Sequence, residues 1–193
     1  MKDIIESTQR PRVSVRQATR EDIPFVAQCV LASVDLYDFM EDSIEKDIAL
    51  KVCSLDDTLY SWRNARIATV EGIAVGCLIS YDGGIYPEGR KRTFKYFADA
   101  GRPMDNSEAE TGPGEYYLDA MAIRPAFRGY GIGHVLMHDA LDIAKARGIK
   151  KISLIVECSK PELRAYYAQL GFIPERELDA FGKRYLRMVL ITR

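Results

Sequence analysis

Hydrophobic residues in the first half of the chain follow two periods, one typical of strands and one typical of helices. Short β-rich or alternating runs predict strands, and apolar residues three and four positions apart predict helices. Glu71-Gly72 lies between two such strands and predicts a hairpin, because glycine tolerates the positive φ of a tight turn. The predicted strands are residues 13–16, 66–70 and 73–80. The predicted helices are a stretch from Thr19 to Leu31, whose first residue can cap it, and residues 44–55.

The second half of the chain alternates strands and helices more regularly. We predict strands over residues 116–123, 151–156 and 184–191, and helices over residues 131–147 and from Pro161 to Leu170. Ser159 and Glu162 have the spacing of a capping box, and Gly171 is placed to end the last helix. The strand–helix–strand order at the centre predicts a parallel strand pair.

Residues 82–114 have no such regular pattern and are rich in glycine and proline. A charged and aromatic stretch over residues 90–97 is compatible with a short helix. We interpret 82–114 as an insertion within a single domain over residues 1–193, in which residues 1–12 form an N-terminal extension. Long loops in compact domains often carry function, so we expect this insertion to shape an acceptor site.

Composition narrows the class of protein further. The 193 residues are 47% hydrophobic and 28% charged with a net charge of -1, so nothing global draws the chain to nucleic acid or to an anionic membrane. It contains no apolar run as long as a membrane span and no apolar stretch near residue 1 of the kind a signal peptide needs. The four cysteines are far apart in sequence, which favours reduced thiols. We therefore expect a cytoplasmic protein.

The segment around Arg128 combines a strand, a glycine-rich turn and a helix start. Gly129, Gly131 and Gly133 let the backbone approach a bulky anion, and the free N–H groups of a helix start favour negative charge there. Arg128 adds a fixed positive charge. These features predict a phosphate or pyrophosphate site without naming the ligand.

Arg128-Gly129-Tyr130-Gly131-Ile132-Gly133 resembles the R/Q-x-x-G-x-G/A signature of the GNAT superfamily of N-acetyltransferases. Residues 15–22, the hairpin over residues 68–80 and the Tyr-x-x-Leu-Gly-Phe run over residues 167–172 resemble other parts of that family. The resemblance implies an α/β (α+β) fold. Its central sheet would be mixed and largely antiparallel, with a parallel, splayed strand pair at its middle and helices on both faces. It also implies direct transfer of an acetyl group from acetyl-CoA to an amine, and a homodimer formed through the C-terminal strand.

The resemblance also assigns roles to individual residues. Tyr167 corresponds to the tyrosine that commonly protonates the departing CoA thiolate. The family often has an asparagine where this chain has Lys160, which we expect instead near a CoA phosphate. The cofactor-binding residues that the resemblance implies are Met121, Ala122, Ile123, Arg128, Gly129, Tyr130, Gly131, Ile132, Gly133, Lys160 and Tyr166.

The amine must also lose a proton, and three acidic residues are candidates for the base. Strand alternation predicts that Asp119 and Met121 point to one face, with Glu115 further back on that face, while Glu157 ends the neighbouring strand. We place Asp119 first among them. Residues expected to line the acceptor pocket by location are Tyr81, Asp82, Tyr86, Glu88 and Tyr116. A small-molecule amine, an amino acid and a peptide N-terminus all remain open as acceptors.

Other features of the sequence point to alternatives. His134 and His138 have helical spacing, but no third ligand is evident and we expect no metal. Cys158 has no basic partner in sequence and is expected to be a packed thiol. The basic run over residues 90–92 is too short to predict a nucleic-acid site. A non-catalytic module that binds acyl-CoA, and an NAD(P)-dependent oxidoreductase, remain as alternative functions.

Overall fold

The computed structural model describes residues 12–33, 44–104 and 108–192. The predicted N-terminal extension therefore lies outside the described residues except for Arg12, and the predicted insertion over residues 82–114 lies within them except for residues 105–107. Hydrophobic periodicity located most elements to within two residues. The strands are β1 (Val13–Gln17), β2 (Ala65–Val70), β3 (Ile73–Asp82), β4 (Glu115–Ile123), β5 (Lys151–Glu157), β6 (Ile173–Ala180) and β7 (Lys183–Ile191). The helices are α1 (Ile23–Ser33), α2 (Ile44–Ser54), α3 (Tyr86–Asp99), α4 (Ile132–Ala146) and α5 (Pro161–Gln169).

These strands form one sheet in the order β1-β2-β3-β4-β5-β7-β6. Every neighbouring pair is antiparallel except β4 and β5, which are parallel. Pairing between β4 and β5 ends at Tyr117 and Ser153, although both strands continue beyond that point. The parallel pair therefore splays apart at its carboxyl end, and the predicted fold class is confirmed.

Two apolar layers cover the two faces of the sheet. One contains buried residues of α1, α2 and α3 with Ile67, Ile79 and Tyr117. The other contains buried residues of α4 with Leu78 and Leu118. Neighbouring residues such as Leu78 and Ile79 belong to opposite layers because side chains alternate across a strand. Helices therefore pack on both faces, as predicted.

Three local predictions differ from the structure. We predicted one closing strand, but the chain forms the hairpin β6–β7, whose first strand is mostly exposed and so lacks a strong hydrophobic pattern. The helix expected near residues 90–97 is longer and is α3. The capping box at Ser159 does not form: Lys160 is the N-cap of α5, and the Ser159 hydroxyl donates to the Glu157 carboxylate instead.

Candidate active site

The splay between β4 and β5 opens one side of β4 over residues 118–123. There the strand is paired with β3 alone, so main-chain groups that would face β5 have no strand partner. A cavity of about 170 Å³ lies at this opening. The residues that line the cavity are Ser33, Tyr60, Glu110, Asp119, Met121, Ile155, Val156, Glu157, Lys160, Leu163, Tyr167, Phe181, Lys183 and Tyr185.

The glycine-rich turn leads from β4 into α4 through two left-handed residues. Gly129 and Gly131 have φ of 83° and 79°, and a Cβ atom at either position would have no atom within 4 Å. Gly131 is the N-cap of α4, and the first hydrogen bond of the helix runs from the Val135 N–H to the Gly131 carbonyl. The N–H groups before Val135 consequently lack intrahelical acceptors. The turn offers an open, donor-rich surface of the kind that binds phosphate.

The remaining residues of the signature support this turn from both sides. Arg128 is exposed, and its Nε donates to the Ile123 carbonyl at 3.2 Å. Ile132 is buried in the α4 layer, where Tyr130 also packs. Ala122, by contrast, is buried in the opposite layer and pairs with Cys77 of β3, so its contact with a cofactor stays a prediction.

Tyr166 and Tyr167 reach the same region from α5. The Tyr166 hydroxyl is buried and has no hydrogen-bond partner among the residues that the structure describes. It lies 3.4 Å from the position that a Cβ of Gly133 would occupy. Buried hydroxyls normally make a hydrogen bond, and a ligand bound at the adjacent glycine turn could supply the missing partner.

The Tyr167 side chain packs under Tyr166 and against Phe172, with ring centroids 5.4 Å and 6.1 Å away. Burial, and to a lesser degree the neighbouring Tyr166, raises the pKa of its hydroxyl to about 12. Tyr167 therefore remains protonated at neutral pH and can act as a proton donor in the cavity.

Asp119 lies in a β-bulge, which overturns the predicted same-face arrangement with Met121. Ile79 pairs with Ala120 and Ser80 with Leu118, so Asp119 has no partner residue on β3. The extra residue reverses the alternation of the strand. The Asp119 carboxylate turns toward the α1 layer, where Tyr81 contacts it, whereas Met121 packs in the α4 layer. Both nevertheless line the cavity, because the splay exposes the edge of β4.

The carboxyl group of Asp119 is held in an environment that favours its protonated form. Burial and the nearby Glu110 raise its pKa to about 8, against a hydrogen bond of 2.5 Å from the Tyr81 hydroxyl, which lowers it. The ionised form, which becomes the major one only above about pH 8, is a stronger base than the carboxylate of an exposed aspartate.

Glu110 is the residue of this site that sequence patterns missed. It lies in the irregular segment before β4, is 6% exposed, and accepts hydrogen bonds from the hydroxyls of Tyr117 at 2.5 Å and Tyr86 at 3.2 Å. The Arg187 guanidinium donates to its main-chain carbonyl at 2.8 Å and ties the segment to β7. No local pattern predicts that an acidic residue in a glycine- and proline-rich stretch is buried. The burial of Glu110 becomes evident only from the tyrosines that contact it in the fold.

The two other candidate bases are engaged in ion pairs. Although burial raises the pKa of Glu115, hydrogen bonds from Ser153, Lys151 and Arg187 outweigh it and lower that pKa. Hydrogen bonds from Lys183 and Ser159 lower the pKa of Glu157. Both carboxylates are therefore weaker proton acceptors than Asp119.

Lys160 lines the cavity, and its Nζ lies 3.9 Å from the Glu157 carboxylate. This ammonium group is thus beside the opening, at the start of α5. Its expected approach to a CoA phosphate stays a prediction.

The acceptor-lining residues expected from sequence position divide into three groups. The hydroxyls of Tyr81 and Tyr86 contact Asp119 and Glu110, so these two residues belong to the site. Asp82 and Tyr116 instead line a separate cavity with Arg66 and Arg147. Glu88 is exposed on α3. The expectation was therefore wrong for Asp82, Glu88 and Tyr116, because α3 and the strand alternation turn them away.

The remaining chemical candidates lie apart from this cavity or at its edge. His134 and His138 are exposed on α4 with ring centroids 4.3 Å apart. Across residues 12–33, 44–104 and 108–192, no group of three or more His, Cys, Asp and Glu side chains is placed to hold a metal ion. Cys158 is a half-buried free thiol. None of the helices in the described ranges has the length and apolar character needed to cross a membrane.

Comparison with known proteins places this geometry in a family. The profile of the acetyltransferase (GNAT) family matches residues 43–172. The chain is 35% identical over 65 residues to a mycothiol acetyltransferase of Beutenbergia cavernae. It is 39% identical over 57 residues to a protein of Oryza sativa subsp. japonica named as a probable glucosamine 6-phosphate N-acetyltransferase 2. These matches span 34% and 30% of this chain but only 21% and 32% of the two relatives.

Solved structures share the fold over nearly the whole chain. An N-acetyltransferase from Staphylococcus aureus Mu50 superposes with a TM-score of 0.76 at 23% identity, covering 92% of this chain and 100% of the other. Identity at that level shows the common fold alone.

Proposed function

The chain belongs to the GNAT family of acetyltransferases, and on that premise we propose that it transfers an acetyl group from acetyl-CoA to a primary amine. The amine attacks the thioester directly within a ternary complex. One observation carries the proposal: the proton acceptor Asp119 and the proton donor Tyr167 line one cavity, beside an edge of β4 that β5 leaves unpaired.

The features at the opening fit the two ends of acetyl-CoA. The glycine turn before α4 has the open surface and free N–H groups that a pyrophosphate needs. The unpartnered Tyr166 hydroxyl lies beside Gly133, where a polar group of the ligand would complete its hydrogen bonding. Main-chain groups of Met121 and Ile123 would bind the pantetheine and the acetyl carbonyl along the unpaired edge.

The proposed reaction forms one nitrogen–carbon bond and breaks one carbon–sulfur bond. The Asp119 carboxylate accepts the proton that the amine loses. The Met121 N–H donates to the carbonyl oxygen while negative charge grows there. Tyr167 donates a proton to the departing sulfur, directly or through water. No covalent bond to the protein is required.

The two alternative functions account for less of the structure. A dinucleotide-dependent oxidoreductase is expected to have a doubly wound, mostly parallel sheet, whereas in the described part of this chain only β4 and β5 are parallel neighbours. A non-catalytic acyl-CoA-binding module needs no proton acceptor and donor in one cavity. Neither alternative is therefore favoured.

The cellular setting is part of the same proposal. All four cysteines are free thiols, which suits the reducing cytoplasm. The homodimer that the family resemblance implies stays a prediction.

The proposal is tested by titrating the purified protein with acetyl-CoA in a calorimeter, beside NADH. We expect acetyl-CoA to bind and NADH not to bind. Gly131→Asp should weaken acetyl-CoA binding at least tenfold more than Gly131→Asn, because both residues tolerate positive φ but only aspartate puts a negative charge against the pyrophosphate. Folded protein that binds neither acetyl-CoA nor CoA would contradict the proposal.

A further inference from the structure

The deep end of the cavity holds two carboxyl groups from different parts of the chain. Asp119 comes from the bulge of β4, and Glu110 from the segment that precedes this strand. Hydroxyls of Tyr81, Tyr86 and Tyr117 donate to this pair, and tyrosine hydroxyls carry no charge at neutral pH. The pair interacts electrostatically, since the Glu110 charge raises the pKa of Asp119.

Asp119 makes no ion pair with any of the residues that the structure describes. Among these residues, Tyr81 alone donates a hydrogen bond to its carboxylate, although the carboxyl group lies in a region where burial penalises charge. At neutral pH the charge of this pair resides mainly on Glu110, because Asp119 favours its protonated form, and this charge would attract a cation that entered the cavity and repel an anion.

The other charged groups of the cavity lie around Glu157. Its carboxylate is 2.9 Å from the Lys183 ammonium and 3.9 Å from the Lys160 ammonium. Negative charge therefore predominates near Asp119 and Glu110, whereas negative and positive groups are both present around Glu157. Aromatic rings of Tyr60, Phe181 and Tyr185 make up much of the remaining wall. Such rings suit an apolar or cationic body.

From this distribution of charge we infer that the acceptor is a small primary amine with no carboxylate or phosphate next to its nitrogen. Alkyl and arylalkyl amines belong to this class, and free α-amino acids do not. The inference rests on the proposed function, because it assigns the substrate class of the same cavity.

The reason is the short distance between the two groups of an α-amino acid. Its carboxylate is only two bonds from the nitrogen, so a nitrogen within reach of Asp119 would carry that carboxylate toward Asp119 and Glu110. Like charges that are brought together at an interface repel each other strongly. An anion farther along the acceptor could turn toward Lys160 and Lys183 instead, so the exclusion concerns only groups beside the nitrogen.

The test compares amines with their parent amino acids, which differ by the carboxylate alone. Tyramine and tyrosine, cadaverine and lysine, and isobutylamine and valine are titrated into wild-type protein saturated with CoA. For at least one pair the amine should bind at least ~30-fold more tightly than the amino acid. Equal or tighter binding of the amino acids would overturn the inference, and so would an absence of binding by every amine.

This readout is separate from catalysis. An amine that binds selectively but is not acetylated when acetyl-CoA replaces CoA would contradict the proposed function and leave the inference on acceptor class intact. Acetylation of the amino acids at rates equal to those of the amines would support the proposed function and contradict the inference on acceptor class.

A pair of variants then assigns the selectivity to the deep carboxyl groups. Glu110→Gln keeps the shape of the side chain and removes its charge. It should therefore reduce the ratio of amine affinity to amino-acid affinity by about tenfold. Glu108→Gln is the matched control, because Glu108 lies on the same segment, pairs with Arg176 outside the cavity and should leave the ratio unchanged. An unchanged affinity ratio in folded Glu110→Gln would show that Glu110 does not contribute to the selectivity. The wild-type comparison decides the acceptor class by itself.

Discussion

Residues of one chemical type differ in this site according to their surroundings. Tyr166 and Tyr167 are adjacent in sequence and on the same short helix. The Tyr166 hydroxyl is buried beside the glycine turn, whereas Tyr167 lines the cavity that Asp119 also lines. We therefore propose that Tyr166 binds the cofactor and that Tyr167 donates the proton.

Phenylalanine substitutions at these two positions should separate binding from catalysis. Tyr167→Phe should lower kcat by roughly 100-fold to 1,000-fold, because general acid catalysis commonly contributes this much, while the Kd for acetyl-CoA changes little. Tyr166→Phe is the matched control and should weaken acetyl-CoA binding with a smaller effect on kcat. Thiol release and calorimetry measure the two quantities. An unaltered kcat in Tyr167→Phe would contradict the assignment of the proton donor.

At the scale of elements, the segment between β3 and β4 is packed against the sheet rather than loosely attached. A Cβ at Gly83 would lie 2.1 Å from the carbonyl oxygen of Gly112, so the two ends of this segment meet at van der Waals contact. Glu110 is two residues from Gly112, and its position depends on the same contact. Close packing of these two glycines thus helps to place a buried carboxylate in the cavity.

Alanine substitutions of the two glycines should have very different effects on stability. Gly83→Ala should reduce the free energy of unfolding by about 2 kcal/mol or more, because the methyl group would overlap rigid main-chain atoms. Gly112→Ala is the control, since a Cβ there has no atom within 4 Å. Urea denaturation measures both. Equal stabilities of the two variants would contradict the close contact.

At the scale of the whole molecule, the site depends on two irregularities of the sheet. The bulge in β4 and the end of pairing between β4 and β5 leave main-chain groups unpaired and bring Asp119 to the edge of a cavity. A regular sheet would satisfy these groups but would close the opening. The molecule therefore carries a carboxyl group in a place that opposes its ionisation.

We predict that the free energy of unfolding of Asp119→Asn increases relative to that of wild type as pH rises. The folded-state pKa of about 8 lies above the ordinary aspartate value of 3.8. The raised pKa favours the folded wild type most fully below pH 4, and this contribution is lost progressively as pH rises toward 8. The variant should thus gain on the order of 2 kcal/mol over wild type between pH 4 and pH 8, a value reduced for partial solvent exposure.

Glu115→Gln provides a control of opposite sign in the same measurement. The pKa of Glu115 is lowered in the folded protein, so its ionised form stabilises the fold at neutral pH and this contribution is lost as pH falls. The variant should therefore be less stable than wild type at pH 7. Urea unfolding at several pH values gives both curves. A difference between Asp119→Asn and wild type that did not grow with pH would contradict the raised pKa of Asp119.

The features of this protein that depend on short-range patterns could be predicted from the sequence. Hydrophobic periodicity located the helices and most of the strands, and the spacing of Gly129, Gly131 and Gly133 located the turn before α4. Such features are recoverable because a helix or a tight turn is specified by residues within a few positions of one another. The mostly exposed strand β6 was missed for the same reason, since its pattern is weak.

The set of groups that share the cavity, by contrast, depends on contacts between distant segments of the fold. The bulge at Asp119 reversed the predicted alternation, and the burial of Glu110 depends on tyrosines 7 and 24 residues away. Asp82 and Tyr116, although close to the site in sequence, line a different cavity. Register shifts and burial arise from contacts between distant segments, and these contacts set both the charge and the shape of the cavity.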